Sequence, residues 1–516
     1  MVNPQLFQSS RGSKLPVADT LNEEFAPAYA FNDKHLLAQY AATGCLNATF
    51  YADAAVQLQI LLDACENVEP RFIAKTALYC REKGYMKDTS ALLTAILTMR
   101  GQEYLPAVFE RVIGNGKMLR NVVQILRSGA VGRKSLGTRP KKLIQDWLNT
   151  ATEKQLLNAA IGTQPSLADV VKMVHPKPNE AWREAFFAWV IGKPYDAEQL
   201  PPLTKAYELY KSDPSQSVPD VPFQMLMALP LDTAQWTRIA LNAGWQMVRM
   251  NLNTFARHGV LDDDKVVRTL AKRLCDAKEI ARAKVFPYQL LAAYKAAVNI
   301  PLPLREALQD AMETALANVP DFAGDIVVCP DVSGSMSCAA TGWRGSATSS
   351  VRCIDIAALM AAALLRKNPH TVVLPFENDV VDVNVNPRDS VMTNAEKLAA
   401  IGGGGTNCSA PLRRLNRNKA KADLVVFVSD NESWVDASRH GSTAMMKEWE
   451  LFKQRNPKAK LVCVDIQPYR TTQAVERDDI LNVGGFSDAV FNVIAAFAAD
   501  QLKAEHWVGV IEEVVL

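Results

Sequence analysis

Long apolar runs are missing from this 516-residue sequence. No stretch reaches the roughly 18 residues that a membrane-spanning helix requires, so a membrane partner is not expected. The opening residues Met1-Val2-Asn3-Pro4-Gln5 lack the basic-then-apolar pattern of a secretory signal. The nine cysteines are scattered, with no CxxC pair and no zinc-ligand spacing. Cys329 and Cys463 fall inside predicted strands, where a small buried thiol is ordinary. A reducing, cytoplasmic compartment is the expectation. Excess charge is also missing. Lys and Arg number 57 against 55 Asp and Glu, and a net charge of +2 identifies no partner. Enzyme signatures are scarce. No Gly-x-Ser-x-Gly elbow surrounds Ser333 or Ser335. Gly132-Arg133-Lys134-Ser135 lacks the spacing of a phosphate-cradling loop, and no lysine follows the glycines at 402–405. The protein is therefore expected not to be an enzyme.

What is present is a folded composition, 48% hydrophobic and 22% charged. The length calls for two or three domains. Residues up to about Ser13 read as a mobile tail. From Phe31 to about Asn318 the pattern is helical. Glu69-Pro70-Arg71-Phe72 places proline at a helix start, followed by an apolar face over Ile73, Ala74, Ala77 and Leu78. Asp88-Thr89 opens another helix. Many short helices with brief Gly, Pro or Asn breaks, and no strict period, predict antiparallel pairs stacked as a HEAT-like solenoid. Arc and ring both remain open. Near Val319-Pro320-Asp321 strands begin to alternate with helices. Strands are predicted at 326–329, 371–376, 424–428 and 461–466, and helices at 351–366, 443–454 and 488–502. That is the βαβ order of a parallel sheet. The boundary is expected at about residue 320, giving a helical domain over 1–320 and an α/β domain over 321–516.

Asp325-Ile326-Val327-Val328-Cys329-Pro330-Asp331-Val332-Ser333-Gly334-Ser335 reads as a buried strand that ends in one carboxylate and two hydroxyls. Ligands of open α/β sheets bind just past the carboxyl ends of the strands. Gly402–Gly405 then presents Thr406, and the apolar run 424–428 leads to Asp430. Asp331, Ser333, Ser335, Thr406 and Asp430 are all hard oxygen donors, suited to Mg²⁺ or Ca²⁺ rather than zinc. The bland alternative is a serine-rich turn capping the next helix. The order of these motifs resembles the metal-ion-dependent adhesion site (MIDAS) of von Willebrand factor A domains, and the resemblance implies a divalent cation, Mg²⁺ first. Asp331 and Asp430 could also hold a metal that activates water in a nuclease, but hydroxyl-rich one-metal sites favour binding a carboxylate.

Between Arg111 and Gln145 lie Arg111, Lys117, Arg120, Arg127, Arg133, Lys134, Arg139, Lys141 and Lys142, with no acidic residue among them. Such a run faces counterions or a polyanion, most often nucleic acid; an ordinary solvated helix face is the alternative.

Gly137-Thr138-Arg139-Pro140-Lys141-Lys142-Leu143-Ile144-Gln145-Asp146-Trp147 resembles the signature of the TROVE module of the Ro autoantigen family. Ser166–Pro178, which contains Lys172, His175 and Lys177, resembles that family's next block. Arg249-Met250-Asn251 resembles its Arg-Asn-Leu block, and 283–288 a further one. Gly404–Ser409 and Ser429–Trp434 extend the likeness into the second domain. The resemblance implies an all-α HEAT-like ring followed by a Rossmann-like von Willebrand factor A domain. It implies a monomeric ring that binds small noncoding Y RNA and the single-stranded 3′ ends of structured or misfolded RNAs in RNA quality control. Polynucleotide phosphorylase is the implied partner in decay. RNA contacts are expected from the basic residues from Lys117 to Lys142, from Lys172, His175 and Lys177, and from Asn251. A lone histidine after an apolar helix is also commonly a satisfied structural group. A helical scaffold carrying a metal-dependent protein-binding domain, without RNA, is the competing reading.

Overall fold

Among the described residues, the strands lie at the N-terminus and beyond residue 325, and the stretch between Cys65 and Leu316 is helical. The computed structural model describes residues 15–516 apart from 42–45, 47, 284, 286, 317–318, 343–350, 438–440, 487 and 503–505. The tail up to Ser13, and Lys284 and Phe286 of the 283–288 block, lie outside the described residues.

Two compact units result. One comprises Met1–Ala64 with Ala317–Val510; the other comprises Cys65–Leu316 with Ile511–Leu516. The change of character near 317 agrees with the sequence. The expected single cut at 320 does not describe the termini, because Met1–Ala64 joins the sheet-bearing unit and Ile511–Leu516 joins the helical one. The cause at the N-terminus is strand pairing. Strand β1 (Thr20–Leu21) pairs antiparallel with β2 (Pro27–Ala30). Tyr29 and Ala30 of β2 pair in turn with Thr472 and Thr471. Tyr29 is buried in the same apolar cluster as Phe427 and Trp449. A hairpin whose partner strand lies near the opposite end of the chain leaves no local signal in the sequence.

In the helical unit, successive helices stack in pairs. Pro70–Glu82 packs on Asp88–Ile96 and Leu105–Val112, and Asp88–Ile96 packs on Gly116–Ser128. Gly116–Ser128 packs on Glu153–Ala159, and Thr138–Thr150 on Leu167–Val174. Gly116–Ser128 shows why. Met118, Leu119, Val122, Val123 and Leu126 form one buried stripe. Asn115 caps its first turn by accepting from the Met118 amide, and Gly129, at φ 87°, ends it in the left-handed region. Gly116 itself sits against Ala159, so that any Cβ there would meet Ala159 Cβ at 2.1 Å. Glycine is required for that approach.

The other unit holds a five-stranded parallel sheet. Its strands are β3 (Ile326–Pro330), β4 (Val372–Val373), β5 (Leu424–Ser429), β6 (Lys460–Asp465) and β8 (Ile480–Gly484), in the order β4-β3-β5-β6-β8. β7 (Thr471–Thr472) pairs with β2 instead. The expected strand at 371–376 is regular only over Val372–Val373, although Leu374 and Phe376 still donate to Val328 and Pro330. The expected helices appear as Cys353–Lys367, Ala444–Arg455 and Asp488–Ala498. Elements not expected include β8, Val391–Ala399 and Ala410–Arg417. β3 and β5 are buried throughout, as their unbroken apolar runs require. From β3 the chain crosses to one neighbour, β4, and then back to the other, β5. The reversal places a crevice at the carboxyl end of β3. Among the described residues no helix is long and apolar enough to cross a membrane.

Candidate functional site: an oxygen cluster at the sheet edge and a basic helical face

Asp331 and Asp430 follow β3 and β5, adjacent parallel strands, so both carboxylates emerge at one edge of the sheet. Both are buried. The Asp331 Oδ1 accepts from the Ser333 amide at 2.8 Å, which folds the loop back over the strand end. The Ser333 Oγ lies 3.3 Å from Ser335 Oγ and accepts from Thr406 Oγ1 at 3.0 Å. The Ser335 hydroxyl bonds to Asp430. The five side chains expected to converge therefore do so. Thr406 is delivered by backbone that only glycine readily adopts: Gly402, Gly403 and Gly404 have φ of 38°, 132° and 68°.

The electrostatics explain the donor set. Burial, and then the neighbouring Asp430 carboxylate, push the Asp331 carboxyl up to about 7. Burial raises Asp430 too, against the hydrogen bonds it receives from Ser335 and the Glu432 amide. Two carboxylates and three hydroxyls facing one point, with no cationic side chain among them, fit a hard divalent cation. The cation would neutralise both charges and take oxygen ligands.

Other site residues lacked a sequence signal or had one that went unused. Ser429 donates to Asp331 Oδ2 at 2.6 Å and accepts from the Asn431 amide at 3.0 Å. Asn431 adopts φ 57° and donates through Nδ2 to Asp465. Asp465 ends β6 as Asp331 and Asp430 follow theirs, so its position in an apolar strand was a usable signal. Burial pushes both its carboxyl and that of Glu432 upward. Glu432 accepts from the Glu23 amide at 2.8 Å, and Asn22 Nδ2 donates to the Ser433 carbonyl at 2.9 Å. The N-terminal hairpin is thus moored beside the cluster. Tyr51 comes closer still: it bonds to Ser335, and Asp430 raises its hydroxyl after burial does. Its ring packs edge-on against Tyr469 with centroids 5.5 Å apart. Nothing in the sequence joins Tyr51 to the distant loop that carries Ser335.

The basic residues divide. Lys117, Arg127, Lys134, Arg139, Lys142, Lys172, His175 and Lys177 are exposed. Lys117 and Arg127 share the solvent stripe of Gly116–Ser128 with Gln124. Lys172 and His175 lie at the end of Leu167–Val174, where His175 caps the helix at φ 51°. Arg139 Nη1 donates to Gln102 O at 2.7 Å and still reaches solvent. Arg133 and Lys141 are half-buried. Arg133 donates to Ser135 O at 2.9 Å and Thr98 O at 3.3 Å, so it braces its own loop. Lys142 pairs with Asp146 at 2.8 Å, the first carboxylate beyond the basic run.

Two expectations need correction. Arg120 is buried rather than available: its guanidinium packs against Gly162 and donates to Pro165 O at 3.2 Å, and burial lowers its pKa. It joins two helical segments from inside. Asn251 is half-buried at a kink in Trp245–Arg257, where its side chain donates to Met247 O at 2.8 Å. That bond holds the Asn251 side chain against its own helix. Arg249 is buried beside it, donating to Gln289 O at 2.7 Å.

Residues 326–498 match the family model described as the Ro60 vWA domain. The chain is 24% identical to the RNA-binding protein RO60 of Deinococcus radiodurans, over 92% of this chain and 94% of that one. It is also 24% identical to RNA-binding protein RO60 of Caenorhabditis elegans, over 50% of this chain and 40% of that one. The crystal structure of the Deinococcus radiodurans RO (RSR) protein superposes with a TM-score of 0.62 at 20% identity, covering 91% of this chain and all of that one. The fold is thus that of a helical Ro module joined to a parallel-sheet domain. Residues 326–498 form a von Willebrand factor A domain of the Ro60 kind, within a chain that resembles Ro proteins along 92% of its length.

Proposed function

We propose that this chain is a cytoplasmic RNA-binding protein that holds small noncoding Y RNA and the single-stranded 3′ ends of structured or misfolded RNAs. It presents those ends to a 3′ exoribonuclease, polynucleotide phosphorylase, and does no cutting itself. The observation that carries the reading is the set of exposed cations on and beside three helices: Lys117 and Arg127 on Gly116–Ser128, Lys134, Arg139 and Lys142 just before and on Thr138–Thr150, and Lys172 and Lys177 on and just after Leu167–Val174. Phosphates draw such side chains with little sequence preference, which suits many RNA ends passing one surface. His175, exposed between Lys172 and Lys177, adds a donor. The names of the relatives support RNA as the ligand class. A monomeric ring is the form in which these helices would surround a strand.

Asp331, Ser333, Ser335, Thr406 and Asp430 would hold Mg²⁺. The ion would supply charge neutralisation and a coordination position for an acidic group, while the chain's own hydroxyls fix its place. Filter binding with a structured RNA bearing a single-stranded 3′ tail tests the reading. Charge reversal at Lys134, Arg139 and Lys172 should weaken binding at least tenfold and flatten the salt dependence by about 0.7 in log–log slope per lost phosphate contact. Unchanged affinity and slope in a folded variant would remove this face from the site. RNA bound by neither protein would favour the scaffold reading.

A further inference from the structure

Cys338 and Cys353 stand 15 residues apart in sequence, yet their Sγ atoms lie 3.5 Å apart. The chain folds back on itself between them. Ala339 bridges antiparallel to Arg352, Ala340 donates to Val351 O at 2.9 Å, and Cys353 donates to Cys338 O at 2.9 Å. Opposed residues of an antiparallel pair hold their Cα atoms within the span a disulfide bridges. The sulfurs need approach by only about 1.5 Å to reach bonding distance, which a side-chain rotation supplies.

The two thiols are unequal. Cys338 is half-buried, and its Sγ lies 3.1 Å from Gln467 Oε1. Gln467 Nε2 in turn donates to Ala339 O at 2.7 Å, which fixes the hairpin from outside. Cys353 is buried at the first position of the helix Cys353–Lys367. Burial pushes the thiols of Cys329, Cys408 and Cys463 well up within the sheet core.

We propose that Cys338 and Cys353 form a redox-active dithiol that a peroxide converts to a reversible disulfide. The Cys338 thiolate attacks one peroxide oxygen. The O–O bond breaks, the sulfur is oxidised to a sulfenic acid, and the departing hydroxide takes a proton to become water. The Cys353 thiolate then displaces the sulfenic hydroxyl, which leaves as a second water while the S–S bond forms. Two thiols lose two electrons and two protons, and one hydrogen peroxide becomes two waters. Ser337 and Arg352, each next to one of these cysteines, line a cavity of about 570 Å³ together with Ser333 and Gly334. The cross-link ties two walls of that cavity together beside the oxygen cluster.

The full chain, reduced and then treated with hydrogen peroxide, is alkylated and peptide-mapped. The expected product is a Cys338–Cys353 linked peptide that dithiothreitol reverses. Cys353→Ser should leave Cys338 as a sulfenic acid that dimedone traps, and Cys338→Ser should abolish the link. Cys275, also half-buried, serves as the comparison thiol. Oxidation of Cys275 while Cys338 and Cys353 both remain thiols would overturn the proposal. Linkage of either residue to another cysteine would overturn it equally.

Discussion

Asp331 and Asp430 are buried among hydroxyls, and the second charge helps hold the proton on the first. Without a cation this arrangement strains the fold, so Asp331→Asn should melt at or above the wild-type temperature in chelator. With Mg²⁺ at a hundredfold excess over its Kd, the wild type should gain about 2–3 kcal/mol and the variant nothing. Thermal melts in both conditions check this, and equal gains would argue against the five-residue site. Glu476 offers a second residue-scale test away from that cluster. Burial pushes its carboxyl from 4.5 up to about 8, against the bonds it receives from Asn482. Below pH 4.5 the group is protonated folded or unfolded. Between 4.5 and about 8 only the unfolded chain ionises, so stability falls as pH rises, by up to about 5 kcal/mol. Glu476→Gln removes that slope. Its melting temperature should exceed wild type at pH 8 and converge with it near pH 4.5. Arg120 shows the limit of reading charge by residue type. Nothing in its neighbours' composition separates it from Lys117, but its place three positions on turns it toward Pro165 rather than solvent.

Two elements carry the site geometry. The loop Gly402–Gly405 must hold three positive φ angles in succession while passing Glu377 and Asn378. A Cβ on Gly404 would meet Glu377 Oε2 at 2.3 Å and Asn378 Nδ2 at 2.7 Å. Gly404→Ala should therefore cost at least about 1–2 kcal/mol and loosen Thr406, read as a lower denaturation midpoint and a smaller Mg²⁺ shift. The helix Gly116–Ser128 carries the basic stripe on one face and buried Leu119 and Leu126 on the other. Leu126→Ala should cost about 2–5 kcal/mol by leaving a cavity. Lys117→Ala on the opposite face should leave stability within about 0.5 kcal/mol while lowering RNA affinity. The apolar periods and the glycine run made both elements legible in the sequence. β8 was less legible, because Ile480-Leu481-Asn482-Val483-Gly484 puts an asparagine in mid-strand. Asn482 is buried there, bonded to Thr472, Ala474 and Glu476, and no periodicity rule foresees that network.

At the scale of the molecule, Met1–Ala64 belongs with the sheet domain. A fragment starting at residue 321 would lack Tyr29, which the core cluster buries, and the strand that pairs with Thr471 and Thr472. Such a fragment should melt lower than the intact chain and bind a hydrophobic dye. Adding Met1–Ala64 as a separate peptide should restore part of the loss. The same melt from fragment and full chain would contradict the pairing. The sequence by itself determined what depends on neighbours along the chain: a helical part, then a βα part from about residue 320, and three oxygen-bearing motifs at strand ends and a glycine loop. Local spacing fixes those, because helix and strand periods and the left-handed freedom of glycine act over a few positions. Only the tertiary structure decided which cations face solvent, that Arg120 serves the framework, and that Tyr51 reaches Ser335. It alone brought Cys338 to Cys353 and the N-terminal hairpin to β7. Each of these rests on contacts between residues far apart in the chain, where packing and backbone pairing choose the partner and no pattern of spacing records the choice.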